Sequence, residues 1–382
     1  MTLEPLHIMF LVSSLCFGGA EKHVVTLANG LDRSRFRCSL VYLKPNKALL
    51  PQLDLSRLEA VISLNVRRRI DCAAVKVLAG QVDRLGVDIM VCTNEYPAVY
   101  ALLASRRARA RPKIVEVFHT TVFGTLKDRM QMLVYQRVFR HLDRLIYVSR
   151  NQQAYWRAKG LRGRSDSVIR NGIDTAYFKN TFSANERAAI RAVYGFSNLD
   201  YVIGICAALR PEKAHGDLLQ AIAILRARGI SARCLIIGDG PERPKIETLI
   251  SSLALTHTVA ISGFIQDVRP YVACCDVMVL ASHSVETFSI AALEAMALGK
   301  PVILSRIGGA DEQIVDGVHG CLFDAGNIQQ LADCLQSLSA ADQRQHMGER
   351  AAERVRTEFT QDRMLAEFNT TLAGMRSIDC SN

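Results

Sequence analysis

Two glutamates eight residues apart carry the first chemical signal in this chain. Glu286 and Glu294 stand in the stretch SHSVETFSIAALEAMALGKPV, residues 282–302. On one continuous helix they would lie about 80° out of phase. The better placement puts Glu286 in a loop before the helix and Glu294 two turns inside it, where they touch two ends of one elongated ligand. Between them Thr287-Phe288-Ser289 turns the chain, and the free amides of Ser289 and Ile290 begin the helix, a ready position for a phosphate. Glu294 sits among Ala292, Leu293, Ala295 and Met296, where an idle charge is costly. Glu286 taken alone reads equally well as a carboxylate near a helix N-cap.

A phosphate group also wants fixed cations. Arg210 and Lys213 follow the apolar run YVIGIC (201–206), where a strand-end site would place them. An ordinary pair of surface cations flanking Pro211 is the alternative. Near the start of the chain, Gly18 and Gly19 would let the backbone approach a ligand without a Cβ clash, or simply form a tight turn. His119 ends the apolar run KIVEVF (113–118), which aims its imidazole at a strand-end site, although a lone histidine there is more often structural.

These residues need a scaffold that delivers strand ends to one place. Short β-branched runs alternate with helical patterns throughout, which predicts βαβ units and parallel sheets. Strands are expected at 6–12, 36–43, 61–66, 88–92, 113–118 and 144–149. After the turn-forming Asn171-Gly172-Ile173-Asp174, a second series is expected at 201–206, 233–237, 258–262, 276–281 and 301–305. The fold class is therefore α/β with two Rossmann-like domains. We expect an N-terminal domain over 1–174, a linker over 175–195, a C-terminal domain over 196–358 and a final helix, 359–382, packing back on the first domain. Ligands of open parallel sheets sit beyond the carboxyl ends of the strands, so the expected site is a cleft between two facing sheets.

Composition removes several classes. Of 382 residues 49% are apolar and 22% charged, which excludes disorder. No apolar run reaches the ~18 residues of a membrane span. Eleven cysteines without a CxxC pattern argue against a disulfide framework or a zinc site and for a reducing compartment; we assign them, with Trp156, to core packing. The run LHIMFLVSSLCFGGA imitates a signal peptide, but Glu4 precedes it in place of a basic cluster. We expect a soluble, cytoplasmic protein.

Charge is unevenly spread. Residues 1–180 hold 29 Lys/Arg against 14 Asp/Glu, and the remainder 18 against 23. Basic groups cluster at Arg67–Arg69, across Arg106, Arg107, Arg109, Arg111 and Lys113, and at helical spacing in Arg137, Arg140 and Arg144. Such a face attracts anionic lipid at about 1 kcal/mol per basic residue, or is merely solvated. Nucleic acid is not expected, since no aromatic-interleaved basic motif or DNA-binding module is present.

The motifs together resemble retaining glycosyltransferases of the GT-B fold, specifically glycosyltransferase family 4. The resemblance rests on Glu286–x7–Glu294, LVSSLCFGGAEKHVVTLANGL (11–31), IRNGID (169–174), LRPEKAHGDLLQAI (209–222) and LIIGDGP (235–241), in the family's order. It implies that Lys213 and Arg210 grip the diphosphate of a nucleotide-sugar. It assigns Glu286 to hydroxyls of the donor sugar and Glu294 to the ribose. Gly263 and Phe264 would read the nucleobase, with Phe288, Ser289, Ile290, Gly18 and Gly19 also at the donor and His119 near the sugar or the acceptor path. Two departures stand out: Ala208 occupies the place of the family's usual arginine, and Ser289 that of a glycine.

The resemblance further implies transfer with retention of configuration, the leaving phosphate taking the acceptor's proton. No DxD-like pair sits at a strand end, so no metal and no other cofactor is expected. The implied partners are a nucleotide-sugar donor, a lipid-linked or glycan acceptor in surface polysaccharide synthesis, and the inner face of the membrane. A sugar-nucleotide epimerase, a glycan phosphorylase or a silent glycan- or lipid-binding homologue are the alternatives.

Overall fold

The computed structural model describes residues 4–120, 126–284 and 286–376. The chain divides into two compact units. The first holds residues 1–171 and 362–382, the second 172–361.

In the first unit seven strands form one parallel sheet: β1 (Leu6–Val12), β2 (Phe36–Tyr42), β3 (Leu58–Ser63), β4 (Ile89–Thr93), β5 (Lys113–Phe118), β6 (Arg144–Tyr147) and β7 (Asp166–Val168). The spatial order is β3-β2-β1-β4-β5-β6-β7, so the winding reverses between β1 and β4. The first seven residues of the signal-like run form β1, every one of them buried, as expected of a strand covered on both faces. β3 lies three residues earlier than expected, and the short edge strand β7 was not anticipated. Five helices fill the crossovers: α1 (Gly19–Gly30), α2 (Cys72–Leu85), α3 (Glu95–Ser105), α4 (Leu126–Phe139) and α5 (Arg150–Ala158). Local chemistry sets their ends. Asp71 caps α2 through the amides of Ala73 and Ala74, and Gly86 closes it at φ 61°, a conformation that favours glycine.

The second unit repeats the plan with six parallel strands: β8 (Tyr201–Cys206), β9 (Ala232–Ile237), β10 (Val259–Ile261), β11 (Val277–Leu280), β12 (Val302–Ser305) and β13 (Gly320–Phe323). Their order is β10-β9-β8-β11-β12-β13, with the reversal between β8 and β11. The segment expected as a linker contains a helix instead, α6 (Ala184–Val193). Ser183 and Glu186 form a capping box at its start, and Arg191 anchors it to the Cys274 carbonyl and Asp276. The other helices are α7 (His215–Ala227), α8 (Arg243–Ser252), α9 (Arg269–Cys274), α10 (Ile290–Ala297), α11 (Ala310–Gln313), α12 (Ile328–Ser337) and α13 (Ala341–Glu358). A last helix, α14 (Gln361–Ala373), belongs from Asp362 onward to the first unit. There Phe368 is fully buried, and Asn369 accepts a hydrogen bond from the Asp32 amide.

Trp156 lies in the first unit's core and donates its indole N–H to the Thr120 carbonyl. Among the described residues six cysteines are buried, whereas Cys72 opens α2 exposed and Cys16, Cys206 and Cys334 are half-buried. No helix among the described residues is long and apolar enough to cross a membrane.

Candidate active site

In the second unit the winding reverses between β8 and β11, so the loops after these strands diverge and leave a crevice at their carboxyl ends. Lys213 comes from the first loop and Glu286 from the second. The Lys213 ammonium donates to Glu286 Oε2 at 2.6 Å, with side chains 24% and 19% exposed. Ser282 Oγ donates to the same oxygen at 3.2 Å, and the Ser282 carbonyl is held in turn by Ser305. The His283 amide donates to the Glu212 carbonyl at 2.9 Å, fastening one loop to the other.

Position 308 requires glycine. Its φ is +56°, and a Cβ there would collide with the Glu286 carbonyl oxygen. The loop after β12 therefore supports the Glu286 turn from behind, with the Gly309 amide donating to the Thr287 carbonyl.

Arg210 starts the same turn as Lys213, but its side chain is exposed and makes no hydrogen bond or ion pair with the described residues. The structure joins Lys213, and not Arg210, to Glu286. Ala214 follows in the left-handed conformation, φ 48°, which ends the turn and starts α7. Behind it His215 is 3% exposed, and burial beside Lys213 pushes its pKa down to about 4.

Three expectations about the 286–294 stretch change. The Ser289 amide was expected to be open to phosphate, yet it donates to Gln313 Oε1 at 3.0 Å, while Gln313 Nε2 donates to the Ser289 carbonyl at 2.7 Å. Ser289 Oγ caps α10 through the Ala292 amide. The Ile290 amide, at the first position of α10, carries no hydrogen bond among the described residues. Phe288 is 2% exposed and meets Phe359 edge-on at 5.3 Å, so its ring belongs to the packing. Glu294 stands one turn inside α10, not two, because the helix starts only at Ile290; it is 6% exposed.

Gly263 has φ +75° and forms an antiparallel bridge with Gly238, tying the ends of β9 and β10 together, and Phe264 beside it is 56% exposed. Sequence reading missed Gln313, Asp217, Ser282 and His283. Asp217, Ser282 and His283 lie inside the stretches read for Lys213 and Glu286 but carried no role there, and Gln313 lies outside them; their roles come from contacts 4 to 66 residues distant in sequence.

In the first unit Gly18 and Gly19 begin α1. Gly18 is extended at φ −169°, a conformation open to any residue, so backbone freedom does not explain it. His119 follows β5; its amide donates to Asn94 Oδ1 at 3.2 Å, and its ring meets His23 edge-on at 5.1 Å. Burial brings the His119 pKa down to about 4, so the ring is neutral at pH 7. Asn94, at the end of β4, holds φ 67° and ψ 169°, a strained combination for a residue with a Cβ. Beside it Glu95 and, beneath, the fully buried Glu116 have raised pKa values, desolvation disfavouring the carboxylate form.

Two doubly wound α/β units, one with a cation and a carboxylate facing each other at the winding reversal, define a class of α/β proteins whose ligand crevices lie at strand ends. Two family models match the chain in tandem: Glycosyltransferase Family 4 over residues 17–177 and Glycosyl transferases group 1 over 186–354. The chain belongs to glycosyltransferase family 4, and it is a glycosyltransferase. It is 28% identical over 306 residues to N-acetyl-alpha-D-glucosaminyl L-malate synthase of Bacillus anthracis, covering 78% of each chain. It is also 28% identical over 248 residues to the GDP-mannose-dependent alpha-(1-6)-phosphatidylinositol monomannoside mannosyltransferase of Mycolicibacterium smegmatis, covering 63% of this chain and 64% of that one. Its fold matches that of the Anabaena protein HepE in complex with UDP-glucose, with TM-score 0.85 and 23% identity over 97% of this chain and 100% of that one. The fold is GT-B.

Proposed function

We propose that this glycosyltransferase moves a sugar from a nucleoside diphosphate to a hydroxyl of a lipid-linked glycan, with retention of configuration. The observation that carries the reading is the Lys213–Glu286 pair at the winding reversal of the second unit. Without donor, each group neutralises the other. A diphosphate outbids the single carboxylate for the ammonium, since it offers more charge and several acceptor oxygens. Lys213 then holds the departing phosphate, where negative charge develops, and Glu286 is released to accept hydrogen bonds from the sugar. Arg210 swings in from solvent as a second cation. Ile290 offers its amide at the start of α10, Glu294 takes the ribose, and Gly263 and Phe264 frame the base. Neutral His119 attends the acceptor side. The leaving phosphate accepts the proton of the incoming hydroxyl, and the Lys213–Arg210 loop neutralises the diphosphate charge in place of a metal.

The names of the relatives support the donor and acceptor classes: HepE is complexed with UDP-glucose, and the mycobacterial enzyme is named for GDP-mannose and a phosphatidylinositol glycoside. For a site at the inner face of the membrane the support is the first unit's surface. Arg67–Arg69, Arg106, Arg107, Arg109 and Arg111 are exposed. On α4, Met130, Leu133 and Val134 are exposed beside Arg137, the mixture of apolar and basic side chains that binds anionic bilayers. Two residues of the expected patch drop out: Lys113 donates to the Met375 carbonyl, and Arg144 lies half-buried in β6 instead of on a helix with Arg137.

The decisive experiment incubates the protein with a panel of UDP- and GDP-sugars and membrane extract, with and without EDTA. Nucleotide release that needs the lipid fraction and survives EDTA is the expected result. Release independent of lipid would remove the acceptor, and loss in EDTA would remove the metal-free mechanism. Inverted anomeric configuration in the product would end the retaining assignment. Co-sedimentation with anionic liposomes should weaken with salt and on replacing Arg67–Arg69 by alanine.

A further inference from the structure

Gln313 belongs to none of the sequence motifs, yet it makes two hydrogen bonds to one residue of the Glu286 turn. Its Oε1 accepts the Ser289 amide at 3.0 Å, and its Nε2 donates to the Ser289 carbonyl at 2.7 Å. Ser289 is extended, at φ −67° and ψ 117°. An extended residue can exchange both bonds with a single partner, as residues do in an antiparallel ladder, and a glutamine side chain carries the required donor and acceptor. Gln313 and Ser289 are 1% and 4% exposed, so both bonds are shielded from water.

The support behind this contact is itself anchored. Arg354 on α13 donates to the Glu312 carbonyl at 3.0 Å, and the Gln313 amide donates to the Gly309 carbonyl at 3.0 Å. From the same segment the Gly309 amide donates to the Thr287 carbonyl at 2.6 Å, and Gly308 lies against the Glu286 carbonyl. Residues 308–313 thus hold the turn 286–289 at Glu286, Thr287 and Ser289. Glu286 opens that turn and meets the Lys213 ammonium across the crevice.

We propose that Gln313 is a positioning residue for the transfer reaction. By holding Ser289 extended, it fixes where the turn ends and α10 begins, and so directs the Glu286 carboxylate into the crevice where the donor sugar is bound. The proposal rests on the assignment of Glu286 to the sugar made above and adds to it a buried residue that acts through the backbone.

Loss of the two bonds releases the turn, and the effect falls on the sugar while the nucleotide is spared. The choice of variant follows from a cavity of about 10 Å³ lined in part by Glu286, Thr287, Ser289 and Gln313. Its volume is at the lower limit of room for one water. Truncating Gln313 would enlarge it and let solvent take over both bonds. Methionine keeps the length of the side chain and offers no comparable donor or acceptor.

The test measures binding of UDP, GDP and the panel of UDP- and GDP-sugars, UDP-glucose and GDP-mannose among them, to the full chain by calorimetry. Wild type is compared with Gln313→Met, Glu286→Ala and Lys213→Ala. Gln313→Met is expected to weaken the bound sugar nucleotide about tenfold, the loss of one hydrogen bond to a charged group, while the matching diphosphate binds as before. Glu286→Ala should weaken the sugar nucleotide at least as much. Thermal melting identifies a variant that fails to fold, and in that case Gln313→Glu takes the place of Gln313→Met. Its carboxylate still accepts the Ser289 amide and lacks only the donor.

Unchanged sugar-nucleotide affinity in the Gln313 variant, or equal weakening of sugar nucleotide and diphosphate, would overturn the role of Gln313. In those outcomes weak binding by Lys213→Ala and Glu286→Ala leaves the donor assignment standing. A wild type that binds the diphosphates but no sugar nucleotide would take the sugar away from Glu286 and the role of Gln313 with it. Wild-type binding by both Lys213→Ala and Glu286→Ala, or no binding of any ligand by the wild type, would remove the donor assignment and the role of Gln313 together.

Discussion

The two units wind their first six strands in the same order, yet their strand ends carry opposite kinds of chemistry. In the second unit a lysine and a glutamate, both partly open to solvent, face each other at 2.6 Å. In the first, the groups in and beyond β4 and β5 are mostly uncharged. Burial lowers the His119 pKa to about 4, and it pushes Glu95 and, within β5, Glu116 toward their protonated forms. One topology thus supports charged strand ends and neutral ones. The topology sets where a ligand can go, and the residues at the strand ends set what it can be. The proposed division of labour follows, with an anionic diphosphate at the second unit and a hydroxyl-bearing acceptor at the first.

The largest expected effect breaks the charged side. Lys213→Ala should lower turnover by about 10²–10³-fold, the usual consequence of removing one stabiliser of developing negative charge. His119→Ala on the neutral side should lower it by only about tenfold, because an uncharged imidazole contributes a single neutral hydrogen bond. Equal losses in a steady-state assay would erase the contrast.

A second contrast appears in acid and base. A histidine whose folded pKa is depressed contributes fully above its unfolded value near 6.5, and that contribution is lost as pH falls toward the folded value. His215, at about 4, should withdraw about 3 kcal/mol from the second unit between pH 6.5 and 4. His215→Leu should flatten the melting profile over that window. Glu116 has the opposite sign. Its raised pKa means that stability is greatest below the ordinary carboxylate range and falls as pH rises through it. Glu116→Gln should therefore raise the first unit's melting temperature at pH 8 and leave it unchanged near pH 4.

Glycines give the finest comparison. At Gly308 both a positive φ and the Glu286 carbonyl oppose a side chain, so Gly308→Ala should cost about 2 kcal/mol or more and displace Glu286. At Gly18 the backbone is extended and a Cβ would meet only the flexible Glu21 side chain. Gly18→Ala should stay within about 0.5 kcal/mol. Denaturant titrations of the two variants, read with donor turnover, would show whether the first unit's glycines matter for anything beyond helix entry.

Much of this protein was legible along the chain. Parallel strands buried on both faces announce themselves as unbroken apolar runs, as LHIMFLV does for β1. The loops bearing Lys213 and Glu286 were found because each follows such a run. Short strands at sheet edges were harder to read. Asp166–Val168 and Gly320–Phe323 have too few residues to show a period. The helix at Ala184–Val193 was hidden because its surroundings are polar, although Ser183 and Glu186 carried a capping signal.

What the sequence determined by itself is whatever depends on neighbours along the chain: strand positions, helix caps, the order of two similar folds and the presence of an acid and a base at strand ends. Only the tertiary structure decided partner choice. Gln313 occupies the Ser289 amide, His283 holds Asp217, and Lys213 meets Glu286 across 73 residues. The reason is physical. A hydrogen bond or ion pair forms over about 3 Å and is governed by which groups the fold brings within that reach, and sequence separation carries almost no information about that distance once the chain has wound back on itself.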